Sequence, residues 1–176
     1  LVSEHTNSLW CFGSMRMFLD RHDQFTGWRM SQDIVWEKHN GTGFTSDRFK
    51  RVHEHAVHWY QGQWGDIHHA AVREDYHGPD KHLRVRRADR APHTVSIAAR
   101  DYHDDGRRMV RSVIKVPSVR GGLHPTEKPA GILTPLIEYS VPVGGVVLDP
   151  FAGSGSTLLA ARQLGRRAVG IEADEA

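Results

Sequence analysis

The region from Val146 to Glu172 constrains the fold of this chain more than any other part of its sequence. It opens with an apolar run, Val146–Leu148, and continues through a loop that contains two glycines. Apolar residues at helical spacing follow the loop. A second apolar run, Ala168–Ile171, then ends on Glu172. This order predicts a strand, a glycine loop, a helix and a parallel strand, and therefore an α/β fold with a buried sheet.

The loop Asp149–Thr157 carries groups that suit a small ligand. Gly153 and Gly155 permit backbone angles that other residues resist, and they let a ligand approach the main chain closely. Glu172, at the tip of the second strand, can accept hydrogen bonds from both hydroxyls of a ribose. We therefore predict a site for an adenosine-containing cofactor at the carboxyl ends of the strands.

The helix after the loop has recognisable ends. Ser156 or Thr157 is expected to cap its first turn, and Gly165 is expected to stop it. A phosphate-binding P-loop would need a lysine after the glycines, which is absent, and a dinucleotide site would need a third glycine where Leu158 stands. Asp149 would repel a pyrophosphate, but it suits an ammonium or sulfonium group. These features favour S-adenosylmethionine.

Two motifs together resemble a known family. The loop Asp149–Thr157, with His-Pro-Thr-Glu-Lys-Pro at His124–Pro129 upstream, is similar to the DNA amino-methyltransferases, which modify adenine N6 or cytosine N4. The order of target region, upstream motif and glycine loop resembles the permuted beta class. The resemblance implies a Rossmann-like methyltransferase sheet with helices on both faces, S-adenosylmethionine as cofactor and double-stranded DNA as substrate.

The resemblance also implies roles for individual residues. Lys128 would hold the methionine carboxylate, Asp149 and Glu172 would hold the methionine and ribose parts, and Phe151 would pack against the cofactor. The full set of expected cofactor contacts is Lys128, Asp149, Phe151, Gly153, Gly155, Thr157 and Glu172. The expected DNA contacts are Phe44, as a stacking group, and the phosphate-binding arginines Arg84, Arg86, Arg87, Arg107 and Arg108.

The family's catalytic motif, Asp/Ser-Pro-Pro-aromatic, has no match in residues 1–176. We expect it to precede Leu1, and we expect a further cofactor-side strand to follow Glu172. No catalytic residue is therefore predicted within the chain. The sheet would lack a central strand, so the chain alone is expected to be weakly stable or to aggregate, and to be inactive.

Three regions are predicted along the chain. Residues 1–60 form part of the catalytic half of the domain, 61–120 form the target-recognition region, and 121–176 form the cofactor-binding half. Between residues 84 and 120 the ten basic residues exceed the acidic ones by six, whereas the whole chain has a net charge of +2. Positive charge is thus concentrated where DNA would bind, although a solvated arginine-rich surface explains it equally well.

Hydrophobic periodicity predicts the remaining elements. Strands are expected at Ser8–Phe12, Asp33–Trp36, Glu54–Tyr60 and Ser112–Val116, with a helix after Gly13 and a loop at Glu37–Phe49. A second helix is expected to bury Leu133, Leu136 and Ile137, with Thr134 as its cap and Pro135 at its first position.

Other function classes are less well supported. The thirteen histidines lack the spacing of a metal site, so no metal is expected. No apolar run is long enough for a bilayer and Cys11 has no partner, so we expect a cytoplasmic protein of bacterial or phage type. Adenine N6 is favoured over cytosine N4 as the target, and a restriction-modification context is expected. Two alternatives stay open: a nucleotide-dependent oxidoreductase, and an inactive remnant that binds cofactor or DNA.

Overall fold

The computed structural model of the chain describes residues 4–42, 47–76, 106–119, 121 and 127–173. The chain divides into two compact units, residues 1–72 with 111–176, and residues 73–110. The predicted division at residues 60 and 120 differs from these limits and stays a prediction. None of the helices in the described ranges is long and apolar enough to cross a membrane.

The first unit contains six strands and three α-helices among its described residues. The strands are β1 Ser8–Gly13, β2 Arg29–Thr42, β3 Arg51–Tyr60, β6 Val113–Lys115, β7 Val146–Asp149 and β8 Arg167–Gly170. The helices are α1 Met15–Asp20, α2 Ala130–Ser140 and α3 Ser156–Gln163, with short 3-10 helices at His22–Phe25 and Trp64–Asp66. The second unit is described as a two-stranded antiparallel sheet of β4 Arg73–Asp75 and β5 Arg107–Met109.

The strands of the first unit form two sheets. The larger has the order β1-β3-β2-β6, with β3 antiparallel to both of its neighbours and β6 parallel to β2. The smaller consists of β7 and β8 in parallel, as predicted. Among the described residues β1 is bonded only to β3, and β7 only to β8.

Helices cover both faces of the larger sheet. On one face Trp36 is 2% exposed and packs in a core with Ile132, Leu133 and Ile137 of α2. On the other face the ring of Phe25 stacks on Trp59, with centroids 4.2 Å apart. Side chains alternate between the two faces of a strand, so consecutive residues of β3 serve different cores.

The predicted loop at Glu37–Phe49 is wrong in its first half, because β2 continues to Thr42. The polar composition of this part misled the prediction. The backbone is nevertheless paired: Val116 N donates to Glu37 O at 3.1 Å, and Thr42 lies opposite Arg51. The side chain of Glu37 pairs with Lys115 at 2.8 Å, so a strand at this position tolerates polar residues.

The predicted start of the second helix is also wrong, although the burial of Leu133, Leu136 and Ile137 is confirmed. Helix α2 begins at Ala130, and Pro135 lies inside it. A proline inside a helix costs about 3 kcal/mol. Burial of each large apolar side chain contributes about 1.5–3 kcal/mol, and starting early adds Ile132, which is 0% exposed, to the buried face.

Strand β7 was expected to be buried on both sides, and that expectation is wrong for its first residue. Val146 is 47% exposed, whereas Val147 packs against the core. Strands Ser8–Phe12 and Glu54–Tyr60 and the short strand near Ser112 are confirmed. Strand Asp33–Trp36 is confirmed as the middle of a longer strand.

A buried histidine in β3 ties several elements together. His58 is fully buried, and its two ring nitrogens lie within hydrogen-bonding distance of Ser8 Oγ and Ser31 Oγ, at 2.9 and 2.5 Å. The rings of Trp10 and Tyr139 lie 4.8 and 5.4 Å from it. Burial, and secondarily the charge of His69, lowers the pKa of His58 from 6.5 to about 4.

This shift predicts a pH-dependent stability. The folded protein holds His58 neutral. Its contribution to the free energy of unfolding is therefore complete above the unfolded pKa of 6.5 and is lost as the pH falls toward 4. The loss at pH 4 is about 3 kcal/mol for a shift of this size. Urea unfolding at several pH values should show this loss, and His58→Gln should flatten the profile whereas His68→Gln, at an exposed position, should not. An unchanged slope in H58Q would contradict the assignment.

Candidate functional site

The glycine loop follows directly from the carboxyl end of β7. Gly153 and Gly155 have φ values of +49° and +75°, in the left-handed region. Side chains with a Cβ rarely adopt this region, so the predicted backbone role of both glycines is confirmed. Their contact with a cofactor stays a prediction.

The predicted caps of α3 are confirmed at one end and wrong at the other. Ser156 and Thr157 are the first two residues of the helix, and Gly155 is its N-cap, with no side-chain hydrogen bond. The left-handed Gly155 already turns the chain into the helix, so no side chain takes the capping position. At the other end Gly165, with φ +74°, donates to Arg162 O, and Arg166 N donates to Ala161 O, which together form a Schellman motif.

The end of β8 is hydrogen-bonded to the glycine loop. The carboxylate of Glu172 accepts hydrogen bonds from Gly153 N and Ala173 N. Backbone bonds reinforce this contact, since Ala152 N donates to Ile171 O at 2.8 Å and Ile171 N donates to Asp149 O at 2.9 Å. The structure therefore brings together the loop and the terminal acid that the sequence singled out.

Asp149 and Phe151 lie at the start of the loop. Oδ1 of Asp149 accepts a hydrogen bond from Phe151 N at 3.1 Å, which fixes the turn after the strand. The side chain of Phe151 is 86% exposed. A large apolar ring with this exposure is typical of a contact surface, and its predicted contact with an adenosine cofactor stays a prediction.

Lys128 lies beside the first turn of α3. A surface cavity of about 230 Å³ is lined by Glu127–Ala130 on one side and by Ser156, Leu159, Ala160 and Gln163 on the other. Lys128 is the second residue before α2, so the position of that helix fixes the distance between the lysine and the glycine loop. Lys128 and Ser156 thus line the same cavity, and the contact of Lys128 with a cofactor stays a prediction.

The environment of Lys128 contains two charged residues that the sequence analysis did not single out. Glu54 lies between Lys38, whose Nζ is 2.7 Å from Oε2, and Lys128, whose Nζ is 3.6 Å from Oε1. Lys38 and Trp36 alternate with outward-facing residues of β2, and Glu54 lies opposite Trp36. A charged residue at a core-facing position of an alternating strand is the signal that could have identified them.

The cluster changes the ionisation of its carboxyl group. Burial alone would raise the pKa of Glu54, but the hydrogen bond and charge of Lys38 and the charge of Lys128 outweigh it and lower the pKa. Glu54 is therefore ionised at neutral pH, and the three side chains together carry a single net positive charge.

The predicted DNA contacts fall into two groups. Phe44, Arg84, Arg86 and Arg87 lie outside the described residues. Arg107 and Arg108 lie on β5, where they pair with carboxylates of β4: Arg107 Nε is 3.6 Å from Asp75, and Arg108 Nε is 2.7 Å from Glu74. These pairs give both arginines a structural role in the two-stranded sheet, and contact with DNA phosphates stays a prediction. Within the described ranges, no group of three or more potential metal ligands is found.

The whole chain matches the model of one protein family. The model of a family described as DNA methylase, of the N6/N4 type, matches residues 1–176. The chain belongs to this DNA methylase family. The Type II methyltransferase M2.DpnII of Streptococcus pneumoniae is 29% identical over 177 aligned positions, which cover 90% of this chain and 65% of the relative. The chain thus spans just under two thirds of the length of this relative.

Solved structures agree on the fold. The crystal structure of the M1.HpyAVI–SAM complex matches with a TM-score of 0.59 and 20% identity, over 96% of this chain and 68% of the other. PvuII DNA methyltransferase, which is cytosine-N4-specific, matches with a TM-score of 0.61 and 13% identity, over 95% and 59%. The predicted Rossmann-like methyltransferase fold is confirmed for this member of the DNA methylase family.

The left-handed loop predicts a local effect of substitution. Gly155→Ala should destabilise the protein by about 1–2 kcal/mol, because alanine at φ +75° is strained even though a Cβ there would touch only Leu158 Cδ1, at 3.9 Å. Gly65→Ala is the matched control, since Gly65 has open space around it and no positive φ. Urea unfolding of both variants measures the difference, and equal stabilities would show that the loop conformation is wrong.

Proposed function

We propose that this chain binds S-adenosylmethionine and forms the cofactor-binding part of a DNA methyltransferase that methylates an exocyclic base amine. The observation that carries the proposal is the contact between Glu172 and Gly153 N, which joins the terminal acid to the glycine loop in a member of the DNA methylase family. This contact supports one continuous binding edge at the ends of β7 and β8.

The residues present fit the charges of the proposed cofactor. The ligand carries an ammonium, a sulfonium and a ribose diol, all of which suit the carboxylates of Asp149 and Glu172. It also carries a carboxylate, which suits the ammonium of Lys128. The exposed ring of Phe151 offers an apolar surface for an adenine. Two acids at the glycine loop and a cation before α2 therefore match a zwitterion better than they match a pyrophosphate.

Each residue then has a task in binding and orientation. Glu172 would exchange part of its hydrogen bonding from Gly153 N to the ribose, and Asp149 would hold the positive end of the methionine part. Gly153 and Gly155 would let the ligand lie against the main chain, with Thr157 in the first turn behind them. When bound, S-adenosylmethionine supplies an activated methyl group. The chain's own contribution is positioning and charge complementarity.

The DNA side of the proposal rests on the family. A base amine inside a duplex is out of reach of an enzyme site, so the base must be turned out of the helix. Arg107 and Arg108 would contact phosphates at the expense of their pairs with Asp75 and Glu74. We favour adenine N6 over cytosine N4 as the target. The catalytic motif of the family has no match in residues 1–176, so transfer would depend on a segment outside this sequence.

Ligand titration separates this proposal from a nucleotide-dependent oxidoreductase. Calorimetry should show binding of S-adenosylhomocysteine and none of NAD. Glu172→Gln keeps the shape of the side chain but removes its charge, and should weaken S-adenosylhomocysteine binding about 10- to 100-fold, as expected for a charged hydrogen bond. Glu74→Gln, in the other unit, is a matched control that should bind normally. Tight binding of NAD alone would end the proposal.

A methylation assay separates an enzyme component from an inactive remnant. The 176-residue chain should transfer no labelled methyl group to double-stranded DNA. The same chain extended to include an Asp/Ser-Pro-Pro-aromatic motif should transfer it, and nucleoside analysis of the product should show N6-methyladenine. N4-methylcytosine would overturn only the base preference, whereas an inactive extended chain that still binds S-adenosylhomocysteine would favour the remnant.

A further inference from the structure

Lys38, Glu54 and Lys128 form a cluster of charged side chains in the interior of the first unit. All three side chains are more than three quarters buried, and they meet at the end of β1, beside the ring of Phe12. Groups of this kind are costly to bury unless they are paired. Apolar side chains at these three positions would cost less free energy to bury than the charged side chains that the protein has there.

The two ion pairs of Glu54 are unequal. Lys38 makes a hydrogen bond to the carboxylate at 2.7 Å, and its ammonium also lies 4.3 Å from the ring centroid of Trp36. Lys128 lies 3.6 Å from the other carboxylate oxygen, which is too long for a hydrogen bond. Glu54 is thus closely paired with Lys38, and it attracts Lys128 without binding its protons tightly.

Two aromatic rings restrict the same ammonium. Lys128 Nζ lies 5.2 Å from the ring centroid of Phe12 and 5.7 Å from that of Trp36, both within the range of cation–π attraction. A lysine side chain normally has several rotamers of similar energy. Here one carboxylate and two rings favour a single location for its charge, beside the cavity that Lys128 shares with Ser156 of α3.

We infer that Glu54 is a positioning residue, which holds the ammonium of Lys128 where it meets the carboxylate of the cofactor's amino-acid part. Lys38 serves as the close counter-ion of Glu54 and fixes the carboxylate at the place from which it attracts Lys128. Without the carboxylate, the two ammonium groups repel each other and Lys128 leaves its place between the rings. This inference rests on the proposed function, because it requires the cofactor to bind at the glycine loop.

A pair of ligands tests the inference on the chain. S-adenosylhomocysteine and 5′-methylthioadenosine share the thioadenosine part, but only the first carries an amino-acid carboxylate. Lys128→Met should weaken binding of S-adenosylhomocysteine about 10- to 100-fold and leave 5′-methylthioadenosine unchanged. Glu54→Gln should show the same selectivity with a loss of about tenfold. A change in general stability would affect both ligands alike, so the selectivity reports on position.

Controls keep the outcomes distinct. Glu37→Gln breaks the partly exposed pair between Glu37 of β2 and Lys115 of β6, and it should change neither affinity. Glu54→Asp keeps the negative charge but moves it back by one methylene, so its affinity for S-adenosylhomocysteine should lie between those of the unmodified chain and Glu54→Gln. This variant also tests the inference if Glu54→Gln does not fold. If the unmodified chain binds neither ligand, the proposed function fails and the inference with it. If it binds both, and Glu54→Gln weakens both equally, weakens neither, or tightens S-adenosylhomocysteine, the inference alone is overturned.

Discussion

The apolar face of α2 is the interaction on which the described structure of the first unit depends. The larger sheet and the β7–β8 pair share no backbone hydrogen bond in the described residues. They are connected by one core, in which Trp36 of the larger sheet meets Ile132, Leu133 and Ile137, and these meet Ala160 and Ala161 of α3. Small residues on α3 allow a close approach of the two helices. The relative position of the two sheets is therefore determined by side-chain packing on a single helix.

This arrangement explains how the candidate site is assembled. Lys128 immediately precedes Pro129, the N-cap of α2, while the glycine loop immediately precedes α3. Packing of the two helices thus sets the separation between the cation and the loop. Two tryptophan side chains of the larger sheet reinforce this packing with hydrogen bonds: Trp36 Nε1 donates to Val116 O at 2.8 Å, and Trp10 Nε1 donates to Ser140 Oγ. These bonds anchor the larger sheet to α2 and to the segment after β6.

Local patterns allowed much of the fold to be predicted from the sequence. The alternation in β3, the apolar run of β7 and the left-handed Gly165 each depend on neighbours along the chain, and each was predicted correctly. Two of the errors share one cause. Pro135 inside α2 and the polar end of β2 contradict local preference, and both are stabilised by partners distant in sequence, namely the buried core and the pairing with β3 and β6. Tertiary contacts of this kind outweigh propensity and cannot be read from spacing.

The candidate site likewise contains residues that are close in sequence and residues that only tertiary contacts bring together. Asp149, Gly153, Gly155 and Glu172 belong to one strand–loop–helix–strand unit, so their order along the chain already implied that they meet. Glu54 and Lys38 reach Lys128 only because β2 and β3 pair and α2 packs over them, across 74 and 90 residues of sequence. A charge on the core-facing side of a strand marks such a residue, but it does not identify the partner. Lys128 of this cluster lines the cavity beside α3, whereas Asp149 and Glu172 are hydrogen-bonded to the backbone of the glycine loop. Neighbours along the chain therefore determine the loop part of the candidate site, and strand pairing with helix packing determines the surroundings of Lys128.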